Sequence, residues 1–149
     1  MSLNKAVTVM MEIPMFRNVD PKRLRLFALM GETLTYRAGE RLFEKGDEGN
    51  AAYIIIDGTV DVLVPVEGGE TAVATLGAKE IFGEMAVLCN QRRSTAIAAQ
   101  TDLTVLRLQR SALVNMLREF PDLALELIKV LASRLEATTR ELATARAPH

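Results

Sequence analysis

The chain has 149 residues, 49% of them hydrophobic and 25% charged, which is the composition of one folded globular domain and not of a disordered segment. Its 18 lysine and arginine residues balance 19 aspartate and glutamate residues, so no basic excess points to nucleic acid or to an anionic membrane surface. With one cysteine and one histidine, the sequence also offers too few ligands for a zinc or iron–sulfur site.

The lone cysteine, Cys89, cannot form a disulfide within the chain, and the lone histidine, His149, is the final residue. Metal binding or general base chemistry by histidine would therefore depend on a terminal residue. No apolar run approaches the roughly 20 residues that cross a bilayer, and the N-terminus carries no secretory signal. We expect a cytoplasmic protein with no membrane span and no metal site.

Short helices are predicted at the N-terminus, followed by strands. Residues 3–11 are rich in apolar side chains, Pro14 interrupts them, and DPKRLRLFALM begins with Asp20 as helix N-cap and Pro21 at the first helical position. From Thr33 the pattern changes to short β-type runs separated by glycines, which predict a β-barrel or a double-sheet jelly roll. These runs are TLTYRAGE, RLFEKGDEG, AAYIIIDG, TVDVLVPVEGG, ETAVATLG, STAIAAQ and DLTVLRL.

The C-terminal part of the chain returns to a helical pattern. One segment starts at Ser111, and Pro121 marks the start of a longer one that continues to about Thr144. The longer segment carries apolar or small side chains at heptad-like spacing, namely Ile128, Leu131, Leu135, Thr138 and Leu142. This seam either pairs with a second copy of the chain or packs back on the strands, and the spacing alone does not decide between them.

The stretch FGEMAVLCNQRRST, residues 82–95, combines a glycine, an acid, two arginines and hydroxyl side chains. A short helix that starts near Met85 would present the free N–H groups of its first turn, which Gly83 leaves accessible, and such helix ends bind anions. Arg93, expected on the next strand, carries a planar guanidinium suited to phosphate oxygens. A phosphate fits this combination.

Glu84 needs a separate explanation, because a carboxylate beside a phosphate is repelled unless it has its own partner. A sugar hydroxyl can be that partner, as in dinucleotide sites where an acid accepts from the ribose 2′-OH. The stretch also has a plainer interpretation, in which Phe-Gly-Glu is an ordinary strand end and Arg92 and Arg93 form a solvated pair. From these residues alone the plainer interpretation is favoured.

A family resemblance reverses this preference. The chain resembles the cyclic nucleotide-binding domain, the sensor module of catabolite activator-type regulators, of the regulatory subunits of cyclic AMP-dependent kinase and of cyclic nucleotide-gated channels. The resemblance covers nearly the whole sequence and implies a mainly β fold, an eight-stranded double-sheet jelly-roll barrel with flanking N- and C-terminal helices. Its motifs occur in order as IPMFRNV, Y-x-x-G-E from Tyr36, LFEKGDEG, YIIIDGTVDV, LGAKEIFGEMAVL, RRSTA and two closing helices.

We accordingly expect one domain over residues 1–149. Its N-terminal helices would occupy residues 1–32 and its strands residues 33–109, with a phosphate-binding cassette over 82–95. The C-terminal helices would occupy residues 110–145.

The resemblance also assigns site residues within the cassette. Glu84 resembles the acid that binds the ribose 2′-OH, and Arg93 resembles the base that pairs with the cyclic phosphate. Ser94 matches a position that is serine or threonine in many members, with a hydroxyl that could reach phosphate or base. The backbone part of the cassette is matched by Gly83, Met85 and Ala86.

In the segment SRLEATTREL, Thr138 and Thr139 fall on a Thr-Ser pair of catabolite activator-type proteins. That pair meets the adenine amino group from both subunits of a dimer. Thr138 and Thr139 are therefore predicted ligand residues, although a threonine that merely fills a helix groove remains the alternative for Thr138.

The resemblance implies a sensor that is not an enzyme, that binds cyclic AMP, with cyclic GMP as the alternative, and that signals through its C-terminal helix to an unknown output protein. It also allows a homodimer through this helix. Catabolite activator-type regulators continue into a helix-turn-helix, whereas this sequence ends at ATARAPH, so we expect no direct DNA binding. The alternatives are an interaction module of the same fold that binds another small anion or no nucleotide and, less favoured, a cupin-like metalloenzyme.

Overall fold

The computed structural model describes residues 3–146, so that His149 lies outside the described part. Its helices are α1 (Leu3–Glu12), α2 (Pro21–Met30), α3 (Glu84–Leu88), α4 (Arg110–Glu119) and α5 (Pro121–Arg146), with a 3₁₀ turn at Pro14–Phe16. Its strands are β1 (Glu32–Tyr36), β2 (Arg41–Phe43), β3 (Ala51–Asp57), β4 (Val60–Val66), β5 (Gly69–Leu76), β6 (Ile81–Phe82), β7 (Ala96–Ala99) and β8 (Leu103–Gln109).

The strands of the described residues form two four-stranded sheets. The first sheet has the order β1-β8-β3-β6 and the second has the order β2-β7-β4-β5, and neighbouring strands run antiparallel. Apart from the hairpin of β4 and β5, which lies within the second sheet, consecutive strands alternate between the two sheets in the manner of a jelly roll. The predicted double-sheet jelly roll with flanking helices is therefore confirmed, although the strands form two sheets and not one closed barrel.

Strand β3 lies at the centre of the hydrophobic core and contributes to both of its layers. Tyr53 and Ile55 belong to the layer between the two sheets, together with Val60 and Val105. Alternate residues of β3, such as Ile54, belong to the layer between the first sheet and the helices. Because both faces of the strand are covered, its sequence AAYIIID is apolar at nearly every position instead of alternating.

A local sequence signal marks the start of α2. The predicted start of α2 is confirmed, because the Asp20 carboxylate accepts a hydrogen bond of 2.9 Å from the N–H of Lys22 and Pro21 is the first helical residue.

In α5, Leu123 and Leu127 are buried against the fold, whereas the second half of the helix is largely exposed. No helix within residues 3–146 is both long and apolar enough to cross a bilayer.

The loop between β2 and β3 contacts the α3 segment at Gly49. A Cβ atom at this buried position would lie 2.2 Å from the Cβ atom of Ala86 and 2.8 Å from the backbone oxygen of Gln91. No side chain fits at these distances, so glycine is required for the loop to approach the segment that follows Gly83.

Gly49→Ala should destabilise the protein by about 1 to 3 kcal/mol, because the new methyl group overlaps Ala86 and backbone atoms cannot move aside without strain. Urea unfolding measures the change. Gly77→Ala is the matched control, since a Cβ atom there meets nothing closer than the Thr59 Cγ2 at 3.9 Å. Equal unfolding midpoints for the two variants would contradict the close approach at Gly49.

Candidate functional site

A cavity of about 620 Å³ lies between the second sheet, the α3 segment and α5, and its volume is in the range of small-molecule sites. Phe43, Val62 and Leu76 line it from the strands. On the side of α5, the lining includes Leu131 and Thr138. The cavity therefore joins the sheet to the C-terminal helix through a largely apolar wall.

Gly83 shapes the turn that leads into α3. Its φ of 79° and ψ of −1° lie in the left-handed region, where glycine is favoured. A Cβ atom at this position would also lie 2.7 Å from Nη1 of Arg93. Glycine thus allows both the turn and the approach of the guanidinium. The helix that was expected to start near Met85 begins one residue earlier, at Glu84.

Arg93 is only 5% exposed, although it precedes β7 and does not lie on that strand as the sequence predicted. Its Nη1 donates to the backbone oxygen of Gly83 at 2.8 Å, and its Nη2 donates to that of Ala51 at 2.6 Å. Burial lowers the pKa of the Arg93 guanidinium, because the charged form loses its hydration. The backbone carbonyls compensate for part of that loss.

The Arg93 Nε atom has no hydrogen-bond acceptor among the described residues, although it is buried. Nor does any carboxylate of residues 3–146 lie within ion-pair distance of the guanidinium. Buried polar groups are almost always satisfied, so an unpaired N–H on a buried cation calls for an explanation. A negatively charged ligand in the adjoining cavity is one that accounts for both observations.

Glu84 is 2% exposed and pairs with a residue of α5. Nη1 of Arg134 donates to its Oε1 at 2.8 Å, while Nη2 of Arg134 donates to the backbone oxygen of Ile81 at 2.8 Å. Burial raises the pKa of the Glu84 carboxyl, and the charge of Arg134 opposes this shift without reversing it. The buried Glu84 carboxylate therefore has a charged partner. Through these two contacts Arg134 also attaches α5 to the wall of the cavity.

With one exception, the side chains and backbone segments predicted to bind a ligand line this cavity. They are Gly83, Glu84, Met85, Ala86, Arg93, Ser94 and Thr138. Thr139 is not among the lining residues. The hydroxyl of Thr138 donates to the backbone oxygen of Arg134 at 3.0 Å, and that of Thr139 donates to Leu135 at 2.9 Å. Ligand binding by these residues stays a prediction.

Arg134 and Phe43 contact the two buried charged residues of the site, and neither was predicted from the sequence. Arg134 lies four residues before Thr138, so the helical period places both on the same face of α5, and this spacing was the available signal. Phe43 lies beneath the Arg93 guanidinium, with the Cζ atom 4.1 Å from the ring centroid. No local pattern links it to Arg93.

The jelly roll and its cavity against the C-terminal helix define a β domain with a cavity of the size found in small-molecule sites. Residues 33–120 match the family model described as "Cyclic nucleotide-binding domain". The chain therefore belongs to the cyclic nucleotide-binding domain family, as its motifs predicted.

Regulators that respond to cyclic nucleotides are among its relatives. The "Cyclic AMP receptor protein" of Thermus thermophilus is 33% identical over 130 residues, which are 87% of this chain and 60% of that protein. The "CRP-like cAMP-activated global transcriptional regulator" of Mycobacterium tuberculosis is 27% identical over 130 residues, 86% of this chain and 58% of the relative. The chain thus spans about three fifths of the length of these curated relatives.

A solved structure agrees with this relationship. The crystal structure of the Thermus thermophilus catabolite activator protein matches with a TM-score of 0.79 and 32% identity, over 89% of this chain and 62% of that one.

Glu84→Gln removes a carboxyl group whose pKa the fold raises above its ordinary 4.5. A raised pKa means that the folded protein holds this proton more tightly than the unfolded chain, so the Glu84 carboxylate costs stability as the pH rises through its folded pKa. Relative to the parent, the free energy of unfolding of Glu84→Gln should therefore increase as the pH rises above about 4.5 and then level off. Urea unfolding at a series of pH values measures this.

Arg134→Met is the companion background, because it removes the cation that opposes the shift. In this background the stability that Glu84→Gln gains over the protein with Glu84 should continue to increase to higher pH before it levels off. A difference between Glu84→Gln and the parent that shrinks with rising pH would mean that Arg134 outweighs burial.

Proposed function

We propose that the chain is a non-catalytic sensor domain that binds a cyclic nucleotide in the cavity beside α5, cyclic AMP in preference to cyclic GMP. The observation that carries the proposal is the buried guanidinium of Arg93, which lacks a carboxylate partner within the described residues and has an unpaired Nε–H. Family membership and the cyclic AMP in the names of two relatives support the same ligand.

The phosphate of the ligand binds at Arg93 and the turn from Gly83 to Ala86. A cyclic phosphodiester carries one negative charge, which matches the buried positive charge of Arg93 in this wall. Its oxygens can accept from the free Nε–H of Arg93, and the planar guanidinium is suited to phosphate geometry. Because the charge is already desolvated, the attraction is stronger than it would be in water.

The ribose binds at Glu84, whose carboxylate accepts a hydrogen bond from the 2′-OH. Arg134 occupies one acceptor direction of the carboxylate, at Oε1. A carboxylate has two oxygens and about four acceptor directions, so it can accept from the ribose while it remains paired with Arg134. The charge of Arg134 favours the ionised form of the acid and so opposes the effect of burial on its pKa, and the ionised form is the better acceptor.

The base faces α5, where Thr138 favours adenine over guanine. The hydroxyl of Thr138 donates its proton to the backbone oxygen of Arg134 at 3.0 Å, so toward a ligand it acts as an acceptor. The exocyclic amino group of adenine is a donor, whereas guanine presents a carbonyl oxygen at the corresponding position. Ser94 follows Arg93 in the cassette and lines the same cavity. Its side chain is exposed and can reach the phosphate or the base.

The signal passes through α5, which contributes Leu131, Arg134 and Thr138 to the cavity wall. A ligand that contacts this helix in one arrangement only shifts the population toward that arrangement, and this differential contact is sufficient for regulation. The recipient is an output protein or a further segment that reads the position of α5. Binding requires no bond to be broken.

A homodimer through α5 is part of the proposal. Ile128, Leu135 and Leu142 are 59%, 68% and 53% exposed, and they recur at the spacing of a helical seam. Large apolar side chains in a row on one helix face are the usual mark of an interaction surface. A second copy of the same helix would cover them.

Arg93→Ala should weaken cyclic AMP binding by about 30-fold or more, the equivalent of about 2 to 5 kcal/mol for a lost partner of a buried charge. Isothermal titration calorimetry measures it, and the parent is titrated with cyclic AMP and cyclic GMP side by side. Arg92→Ala is the matched control, since Arg92 lines the edge of the same cavity but is exposed and donates to the backbone oxygen of Gly46. Its affinity should stay near that of the parent.

The proposed site is wrong if Arg93→Ala, still folded by circular dichroism, binds cyclic AMP as tightly as the parent. Tighter binding of cyclic GMP would overturn only the preference for adenine. A parent protein that binds inorganic phosphate but neither nucleotide would favour a module for another small anion.

Leu142→Glu should convert the dimer to a monomer, because it places a charge in the seam. Leu142 does not line the cavity, so cyclic AMP binding to one subunit should survive. Sedimentation equilibrium gives the mass, and Ala143→Glu, on a neighbouring face of the exposed helix, is the control. A parent that is monomeric at all accessible concentrations, with or without nucleotide, excludes the dimer.

A further inference from the structure

We infer that Phe43 is a positioning residue for Arg93, and that the face of its ring stabilises the guanidinium in place of a carboxylate. The Cζ atom of Arg93 lies 4.1 Å from the centroid of the Phe43 ring and 5.9 Å from that of Tyr53. Cations are attracted to ring faces within about 6 Å of the centroid, and the attraction grows when the cation is desolvated. Phe43 is therefore the closer and stronger aromatic partner.

The Arg93 guanidinium needs an aromatic partner because the nearby carboxylate that could pair with it is already paired with another arginine. Glu84, the buried acid of the same cavity, is paired with Arg134. Arg93 itself has two backbone carbonyls as acceptors and no ion pair within residues 3–146. A buried charge without compensation is costly, so the quadrupole of the Phe43 ring supplies stabilisation that the hydrogen bonds leave incomplete.

The Phe43 ring is itself fixed by two others. Its centroid lies 6.0 Å from that of Tyr53 and 6.2 Å from that of Phe82, and these two stack on each other at 5.0 Å with an interplanar angle of 8°. The three rings come from β2, β3 and β6, so both sheets hold the cluster. A ring held in this way gives the guanidinium a rigid support.

A ring and a carboxylate would have different consequences for a ligand. A carboxylate beside Arg93 would neutralise its charge and would have to be displaced by an incoming anion. The ring stabilises the cation but carries no net charge, so the guanidinium keeps its attraction for an anion in the cavity. Phe43 thus holds the Arg93 guanidinium in position and leaves its positive charge free to attract an anionic ligand.

The test replaces Phe43 site-specifically by phenylalanines with one, two and three fluorine atoms. Fluorine withdraws electron density from the ring face while the size of the ring changes little. The midpoint of thermal unfolding, measured without added ligand, should fall stepwise along the series, by about 4 °C in total. A hydrophobic contact alone would not produce this stepwise fall.

The same series at Phe82 is the matched control, because this ring belongs to the cluster but no described cation lies over its face. Its midpoints should not fall, because withdrawing electron density from this ring does not weaken its stack on Tyr53. In the Arg93→Met background, the series at Phe43 should lose its slope. Equal slopes at the two rings, or a slope that persists without the guanidinium, would overturn the inference. If Arg93→Met does not fold, the comparison with Phe82 decides.

A second readout rests on the proposed function. Affinity for cyclic AMP should fall by about three- to tenfold across the Phe43 series, because the phosphate meets a less well positioned charge. Affinity for adenosine, which lacks the phosphate, should change by less than about twofold. Falling midpoints with unchanged cyclic AMP affinity would overturn the positioning role. A parent that does not bind cyclic AMP contradicts the proposed function, while the midpoints still decide whether Phe43 stabilises Arg93.

Discussion

The desolvated positive charge of Arg93 is the constraint around which the cavity is built. Its two terminal nitrogens reach backbone oxygens of Gly83 and Ala51, and Phe43 covers one face of the guanidinium. The guanidinium is rigid and planar, so contacts in its plane and on its face restrict three separate chain segments at once. The turn into α3, strand β3 and the end of β2 are held together by one side chain.

Much of the fold was predictable from the sequence because most of its elements are long enough to show a period. Each of the seven predicted strand runs contains a strand. The one that was missed, β6, has only the two residues Ile81 and Phe82, too few for any alternation to appear. Asp20 and Pro21 marked the start of α2 because capping is a local interaction.

Apart from Thr138, the predicted residues that line the cavity are neighbours in the sequence. The cassette over residues 82–95 is one continuous stretch, whereas Arg134 and Phe43 reach it through the return of α5 and the packing of the sheets. The solvated-pair interpretation holds for Arg92, which is exposed, and fails for Arg93, which is buried. Adjacent arginines have opposite environments here, and no spacing rule distinguishes them.

The ion pair between Glu84 and Arg134 attaches α5 near its middle, since the helix runs from Pro121 to Arg146. At a rise of about 1.5 Å per residue, roughly 18 Å of helix follow this attachment. A change of angle at the ion pair would be amplified over that length. A tilt of about 10° at Arg134 would displace the distal end by roughly 3 Å, enough to change what packs against it while the sheets stay as they are.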